Sequence, residues 1–177
     1  MRFERSSIPE IGRLLALLAA TRPNGRFAEI GTGVGVGSAW VVDALGPEAI
    51  FVTVELDADR AAAAERLFSE FPNVRVLQGD WHELLPPEGP FDLLFFDGGA
   101  WKRLPPEKVE QESRAALELV APAGIAVIDD LTPVSLWPEE WRGRPDPARD
   151  FWLNQAELAA TELLTTPDTA AILAVRR

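Results

Sequence analysis

A glycine-rich loop preceded by an acidic residue is the first feature of this sequence that could do chemistry. Glu29 is followed by glycine at alternate positions, namely Gly31, Gly33, Gly35 and Gly37. Glycine lets the backbone approach a ligand where a Cβ atom would clash, and the free N–H groups of a following helix suit a carboxylate. Glu29 disfavours a pyrophosphate, and the dinucleotide spacing G-x-G-x-x-G is not met. The loop predicts a ligand with an ammonium group; the alternative is a tight turn without a ligand.

Two more acidic residues follow predicted strands and have the chemistry to bind a nucleoside. Glu55 ends a β-branched run about 20 residues after the glycine loop, where an acidic side chain commonly accepts ribose hydroxyls. Asp80 offers an acceptor for an adenine amino group, and Trp81 beside it offers a flat apolar surface. Each has an ordinary alternative: an exposed strand-end carboxylate for Glu55, and a helix cap beside a packed tryptophan for Asp80.

The elements that must position these residues alternate between strand and helix. The pattern predicts strands over 26–30, 50–55, 74–77, 91–97 and 125–128, and helices over 8–21, 38–45, 58–71, 106–120 and 150–158. Such alternation predicts the α/β class, with a doubly wound and mostly parallel sheet. Strands over 161–165 and 170–175 form a predicted hairpin that adds an antiparallel edge strand. Ligands bind such sheets at the carboxyl ends of the strands.

Composition excludes several classes of protein. The length of 177 residues predicts one domain over 1–177. The chain has no cysteine, which excludes disulfide frameworks and thiolate metal sites. The net charge of -11 disfavours a nucleic-acid partner. The sequence offers no apolar run long enough to span a membrane and no signal peptide, so we expect a cytoplasmic protein.

Five stretches in order along the chain resemble the class I S-adenosylmethionine-dependent methyltransferases. They are the glycine loop Glu29–Gly37, the acidic strand end Val52–Glu55, the turn Gly79–Asp80, the strand Phe91–Asp97 and the strand Leu119–Ile128. The resemblance covers residues 26–130 in register. It implies a single Rossmann-like domain and an enzyme that transfers a methyl group from S-adenosyl-L-methionine.

The same resemblance implies which residues contact that cofactor. They are Glu29, Gly31, Thr32, Gly33, Gly35, Glu55, Leu56, Asp80, Trp81 and Asp97. The loop residues are implied to hold the methionine part, the end of the second strand the ribose, and the turn after the third strand the adenine.

Within this family, the small O-methyltransferases of the catechol type are most similar. They hold a divalent metal with an Asp after the fourth strand and Asp-Asn after the fifth, which correspond here to Asp97, Asp129 and Asp130. Oxygen ligands suit Mg²⁺, so the resemblance implies metal-assisted O-methylation of a small-molecule hydroxyl. Asp97 and Lys102 are the implied catalytic residues, with Lys102 as general base. The alternative for Lys102 is a solvated surface lysine. The alternatives for Asp129 or Asp130 are a cap of the following turn or an ion pair with an arginine of 142–149.

Other functions remain open at this point. One is an RNA-modifying member of the same superfamily, which the acidic charge disfavours. Another is a binding module that keeps the nucleoside pocket without catalysis. His82 is the sole histidine, and we expect it at a surface or cap position rather than in catalysis.

An irregular segment over 131–149 follows the fifth strand and is predicted to face the acceptor. Trp137 and Trp141 are four residues apart and could share a helical face, and with Trp152 they are predicted to form an aromatic lid rather than core. The N-terminal helical region, 1–25, is short for the catechol-type subgroup. We therefore expect an open acceptor side, partly exposed tryptophans that include Trp101, and a symmetric homodimer.

Overall fold

The computed structural model describes residues 7–98 and 100–177. The first six residues of the predicted N-terminal region and Gly99, which stands between Asp97 and Lys102, lie outside the described residues. None of the helices in the described part of the chain combines the length and the apolar character that a bilayer crossing requires.

Six helices and seven strands make up the regular structure of the described residues. The helices are α1 (Pro9–Ala20), α2 (Val36–Asp43), α3 (Ala58–Phe68), α4 (Trp81–Leu84), α5 (Pro106–Glu118) and α6 (Pro147–Asn154). The strands are β1 (Arg26–Ile30), β2 (Ile50–Glu55), β3 (Val74–Gln78), β4 (Phe91–Phe96), β5 (Val120–Leu131), β6 (Leu158–Leu164) and β7 (Ala170–Arg176). Short 3₁₀ turns cover 101–103, 134–136 and 139–141.

The seven strands form one sheet in the order β3-β2-β1-β4-β5-β7-β6. Strands β1 to β5 are parallel, and β7 runs antiparallel between β5 and β6. Ile30 pairs with Val54 on one side and with Phe96 on the other, so the carboxyl ends of the three central strands meet at one edge. The predicted α/β fold, mostly parallel with a C-terminal antiparallel hairpin, is confirmed.

Apolar side chains cover both faces of the sheet, as buried parallel strands require. Along β4, Leu94 and Phe96 pack in one core cluster, while the alternating Leu93 and Phe95 pack in the other. Helices α1, α2 and α3 cover the second cluster, and α5 and α6 cover the first. The central strands are therefore covered on both faces, while the edge strands β3 and β6 are partly exposed.

The predicted boundaries are wrong at α6, β5 and β6, each for a local reason. Helix α6 begins at Pro147 rather than at Asp150 because the Asp146 carboxylate caps it, accepting the Arg149 N–H at 3.1 Å. It ends at Asn154, and β6 begins at Leu158, where the helix was predicted to end. Strand β5 starts at Val120 rather than at Ile125, because Val120 pairs with Phe91 of β4 ahead of a shift in the register.

Candidate functional site

A single large cavity lies along the carboxyl ends of the central strands, as the sheet topology predicts. Its volume is about 1210 Å³, which exceeds the roughly 300–1,000 Å³ of a typical small-molecule pocket. The loops after β1, β2 and β3 line one half, which we call the cofactor half. The loops after β4 and β5, the segment 132–149 and the β6–β7 turn line the other half, the acceptor half. The space suits two ligands side by side.

The glycine loop between β1 and α2 depends on left-handed backbone at three positions. Gly31, Gly33 and Gly35 have φ angles of 96°, 56° and 91°. A Cβ atom on Gly31 would lie 3.2 Å from the backbone of Asp97 and of Gly98. The loop therefore packs tightly on the end of β4 and leaves its outer side to the cavity.

Glu29 lies beneath this loop and is only 1% exposed. Its carboxylate accepts a hydrogen bond from the Ser38 hydroxyl and another from the Thr53 hydroxyl at 2.7 Å. Thr53 in turn shares a hydrogen bond of 2.5 Å with Thr32. Burial raises the pKa of Glu29 to about 7. The structure thus places Glu29 under the loop as a support and not among the residues of the cavity wall, so its contact with a ligand stays a prediction.

Glu55 ties the glycine loop to the end of β2. One carboxylate oxygen accepts the Gly33 N–H at 2.8 Å. The other accepts the Asp57 N–H at 2.9 Å and lies 2.9 Å from the Arg60 guanidinium. Leu56, next to it, is largely exposed at the cavity rim. Glu55 is therefore no ordinary exposed carboxylate: it is buried, held by two backbone donors, and part of the cavity wall.

The turn after β3 places Asp80 and Trp81 on the cavity. Asp80 caps the short helix α4 and accepts the backbone N–H of His82 at 2.9 Å, a bond that lowers the pKa of Asp80. Trp81 stacks on His82 at 3.8 Å and meets Phe96 edge to face. Asp80 therefore does cap a helix, and it also lines the cavity.

His82 lies between two carboxylates. Its Nδ1 is 2.8 Å from Asp80, and its Nε2 is 3.2 Å from Glu112 on α5. His82 lies in the first turn of α4 and is exposed, which agrees with the expected surface position. The contact with Glu112 had no signal in the local sequence.

Three carboxylates meet at the ends of β4 and β5. Oxygen atoms of Asp97, Asp129 and Asp130 all lie within 4.8 Å of one another. Burial, together with the neighbouring charges of Asp130 and Asp129, raises the pKa of Asp97 to about 8. Burial also raises the pKa of Asp129 to about 6. Like charges this close repel, and a hard divalent cation with oxygen ligands would relieve the repulsion.

Asp130 has a φ angle of 60°. This left-handed conformation costs a residue with a Cβ atom roughly 1–2 kcal/mol, although Asp and Asn adopt it more readily than most. Such strain occurs at sites where the surrounding structure enforces it. Here it turns the Asp130 side chain toward the other two carboxylates.

Lys102 is not a solvated surface lysine. It is partly buried, and its Nζ donates a hydrogen bond to the backbone carbonyl of Asp129. Burial lowers the pKa of Lys102. An amine beside the acid cluster with a lowered pKa is a candidate general base.

The aromatic wall of the acceptor half comes from the segment 132–149. Trp137 and Trp141 both line the cavity and meet edge to face at 6.4 Å. The prediction that they share a helical face is wrong, because Trp137 follows the 3₁₀ turn 134–136 in extended conformation, while Trp141 ends the next turn, 139–141. Trp137 is tied down by its indole N–H, which donates to the Thr132 carbonyl at 3.1 Å.

Two other predicted roles for tryptophans are wrong. Trp152 is fully buried in the core against Phe151, so it is no part of a lid. Trp101 is also buried, stacked on Phe96 at 4.5 Å between ring centroids. Both pack in the core cluster that α5 and α6 cover. A local sequence pattern does not reveal this packing.

Arg149 fixes the segment 132–149, and sequence reasoning missed it. Its guanidinium donates to both Glu162 oxygens at 2.7 and 2.9 Å, to the Asp146 carboxylate, and to the Thr132 carbonyl at 2.8 Å. It also lies over the Trp137 ring, 5.5 Å from the centroid. The predicted alternative, an arginine of 142–149 paired with Asp129 or Asp130, is wrong, because Arg149 pairs with Asp146 and Glu162.

The sequence matches the family of methyltransferase domains over residues 28–131. The chain belongs to this family. Curated relatives include a Mycobacterium tuberculosis protein, an O-methyltransferase by name, 28% identical over 95 residues that make up 50% of this chain and 42% of that protein. A Mycobacterium avium relative is 26% identical over 126 residues, 68% of this chain and 54% of its own length. This chain therefore spans about half the length of the curated relatives it matches.

Solved structures agree with the fold. The O-methyltransferase from Bacillus cereus, crystallised with S-adenosylhomocysteine, superposes with a TM-score of 0.79 at 20% identity and covers 99% of this chain and 84% of its own. The O-methyltransferase TomG from Streptomyces achromogenes, involved in tomaymycin synthesis and crystallised with S-adenosylmethionine, has a TM-score of 0.74. It is 27% identical and covers 97% of this chain and 81% of its own.

Proposed function

We propose that this chain transfers a methyl group from S-adenosylmethionine to a hydroxyl group of a small molecule. The observation that carries the proposal is the two-part cavity. Its cofactor half has the glycine loop, Glu55 and Asp80, and its acceptor half has three clustered carboxylates with a lysine beside them. Membership of the methyltransferase domain family supports the same reading.

In the proposed complex, the cofactor half holds the methyl donor. Glu55 accepts the ribose hydroxyls, with Leu56 at the rim, and Asp80 and Trp81 hold the adenine. The loop residues Gly31, Thr32, Gly33 and Gly35 hold the methionine part, supported from below by Glu29, and Asp97 closes the end near the acceptor. Backbone N–H groups already hold Glu55 and Asp80 in place. The site is therefore preorganised, and binding costs little conformational entropy.

Asp97, Asp129 and Asp130 fit a hard divalent cation such as Mg²⁺, because their oxygens converge within 4.8 Å and oxygen-only ligands select such cations. When bound, the ion would lower the pKa of the acceptor hydroxyl and orient it. The chain's own residues do the remaining work. The cavity holds the two substrates in line, which is a proximity effect.

Lys102 is the proposed proton acceptor. Its neutral amine can keep donating to the Asp129 carbonyl while its lone pair takes the hydroxyl proton at Nζ. The acceptor oxygen then forms a bond to the methyl carbon as the carbon–sulfur bond breaks, and the sulfur leaves as a neutral thioether.

Two measurements test the proposal. Calorimetry with S-adenosylhomocysteine should show saturable binding, and labelled S-adenosylmethionine should methylate catechol in the presence of Mg²⁺. No binding at millimolar ligand would overturn the methyl-donor site.

The metal has its own test. Asp129→Ala should lose Mg²⁺ binding and methyl transfer while it keeps S-adenosylhomocysteine. The matched control is Asp150→Ala, which removes an exposed carboxylate on α6 outside the cavity wall. Equal and negligible Mg²⁺ binding by wild type and Asp129→Ala would leave a methyltransferase that works without a metal.

We also propose that the chain forms a homodimer through apolar groups at the acceptor side. Val134, Leu136 and Trp141 expose about half of their surface on the segment 132–149, and an exposed apolar patch favours association. Trp101 takes no part, because it is buried. Sedimentation should show a mass that rises with concentration; a constant monomer mass would contradict the dimer.

A further inference from the structure

Cationic side chains gather at the acceptor half of the cavity, although the chain as a whole carries a net charge of -11. Lys102, Arg103, Arg144 and Arg149 all line this half. Five aspartates line the same half, namely Asp97, Asp129, Asp130, Asp146 and Asp168, so only a cation that none of them engages could bind a ligand's negative charge.

Two of these four cations are already engaged by the protein. Lys102 donates to the Asp129 carbonyl beside the acid cluster. Arg149 is buried and is neutralised by Asp146 and by Glu162. Neither is available to a ligand's negative charge without breaking these contacts.

Arg103 and Arg144 are different. Both side chains are exposed at the cavity, and neither makes an ion pair or a side-chain hydrogen bond with any residue in 7–98 or 100–177. The carboxylates nearby have other roles: Asp146 pairs with Arg149, and the exposed Asp168 accepts the Thr166 hydroxyl. Two arginines that have no acidic partner among the described residues thus line the half of the cavity where the acceptor must lie.

The same wall carries the aromatic pair. Arg144 lies three residues after Trp141, and its backbone N–H donates to the Trp141 carbonyl at 3.1 Å. Arg149 holds this segment through Trp137 and Thr132. A flat ring can therefore pack against tryptophan while a group at its edge meets arginine, whose planar fork matches a carboxylate with two parallel hydrogen bonds.

We propose that the methyl acceptor is a hydroxylated aromatic acid, whose ring lies on Trp137 and Trp141 and whose carboxylate is bound by Arg103 and Arg144. This inference rests on the proposed function and adds the substrate class to it. The two arginines select the acceptor and take no part in methyl transfer itself.

The test compares three acceptors that share the same ring: 3,4-dihydroxybenzoate, its methyl ester, and catechol. Wild type should methylate the acid with a kcat/KM at least tenfold above that of the ester, mainly through a lower KM. Added salt should raise the KM of the acid and leave that of the ester unchanged, because only the acid is held by charge.

Variants assign the preference to the two arginines. Arg144→Ala and Arg103→Ala should each reduce the preference for the acid over the ester by about tenfold or more. The kcat/KM for the ester should not change, and Arg144→Lys should keep part of the preference for the acid. Arg142→Ala is the matched control. It removes the same charge from the same segment, and also the hydrogen bond that Arg142 donates to the Trp137 carbonyl. Because Arg142 does not line the cavity, the preference for the acid should remain.

The outcomes separate the two levels of the proposal. If catechol and the ester are methylated but the acid has no advantage, the substrate class is wrong and the proposed function stands. If none of the three is methylated, binding of the acid and the ester is compared by calorimetry in the presence of S-adenosylhomocysteine. Tighter binding of the acid that Arg144→Ala abolishes supports the arginine site, and equal binding overturns it.

Discussion

The two halves of the cavity are held together in different ways. In the cofactor half, backbone N–H groups bind carboxylates close in the fold: Gly33 and Asp57 donate to Glu55, and His82 donates to Asp80. In the acceptor half, the donors are side chains instead. Lys102 binds the carbonyl of Asp129, and Arg149 binds Glu162 on β6.

This difference has consequences for stability. A backbone donor cannot be removed by a side-chain substitution, so the cofactor half should survive most single changes. The acceptor half depends on Arg149, which joins α6, β6 and the residue after β5. We expect the two halves to fail separately.

The largest effect should come from Arg149→Met. It leaves Glu162 and Asp146 without their partner in a partly buried position, which should cost about 3 kcal/mol of unfolding free energy. The freed segment 132–149 should raise the KM of the acceptor about tenfold, while the affinity for S-adenosylhomocysteine stays unchanged. Urea denaturation, calorimetry and steady-state kinetics check these three expectations.

The control for this prediction is Arg114→Met. Arg114 also pairs with an acid, Glu157 at 3.4 Å, but both side chains are exposed, so the cost should stay below about 1 kcal/mol. Equal losses for the two variants, or a loss of S-adenosylhomocysteine binding in Arg149→Met, would contradict the independence of the halves.

Much of the cofactor half could be predicted from the sequence, because its signals are local. Glycines at alternate positions, an acid at a strand end and an Asp-Trp turn each occupy a few residues. The parallel sheet then brings the strand ends together without further information. The acid cluster was also predictable, since its members follow two neighbouring strands directly.

The wall of the acceptor half could not be predicted in the same way. The Arg149–Glu162 pair requires knowing that β6 returns beside α6, and nothing near either residue signals it. The sequence predicts Trp152 in the aromatic lid and Trp101 at a partly exposed position, yet packing places both in the core. Side chains whose partners are distant in sequence are determined by tertiary structure, and local pattern carries little about them.

Glu29 gives a pH test of the buried network under the loop. Its pKa is about 7 in the folded chain against roughly 4.3 when unfolded. Because the folded-state pKa is raised, its contribution to stability is complete below about pH 4.3 and is lost as the pH rises through 7. The loss should reach about 3 kcal/mol at pH 7.

The matched variant is Glu29→Gln, which keeps the size and an oxygen acceptor but does not titrate. The difference in unfolding free energy between the two proteins, measured from pH 4 to 8, isolates Glu29 from the other buried acids. A difference that stays constant across this range would show that the pKa of Glu29 is the same in the folded and the unfolded chain, and so is not raised by burial.

Glu55→Ala should reduce the affinity for S-adenosylhomocysteine by about 1–2 kcal/mol, roughly 5- to 30-fold, which is typical of a lost hydrogen bond to a charged group. The acceptor half should be unaffected, so its Mg²⁺ affinity should remain. Asp57→Ala is the control, since it removes the cap of α3 and lowers stability by about 1 kcal/mol, while Asp57 itself does not line the cavity. Weakened ligand binding in the control would mean that α3, and not Glu55, sets the affinity.

The smallest effect should come from Ala123→Gly, and it sharpens the contrast between a structural position and a functional one. Ala123 and Asp130 are the two non-glycine residues with positive φ in the described ranges, at 59° and 60° on the same strand β5. Ala123 lies at the end of β5 opposite the cavity, so glycine there should raise the unfolding free energy by about 0.5–1 kcal/mol with no change in ligand binding. Asp130→Gly should relieve similar strain but lose a carboxylate of the acid cluster, and with it Mg²⁺ affinity. If Asp130→Gly kept full Mg²⁺ affinity, its left-handed backbone would serve the fold and not the site.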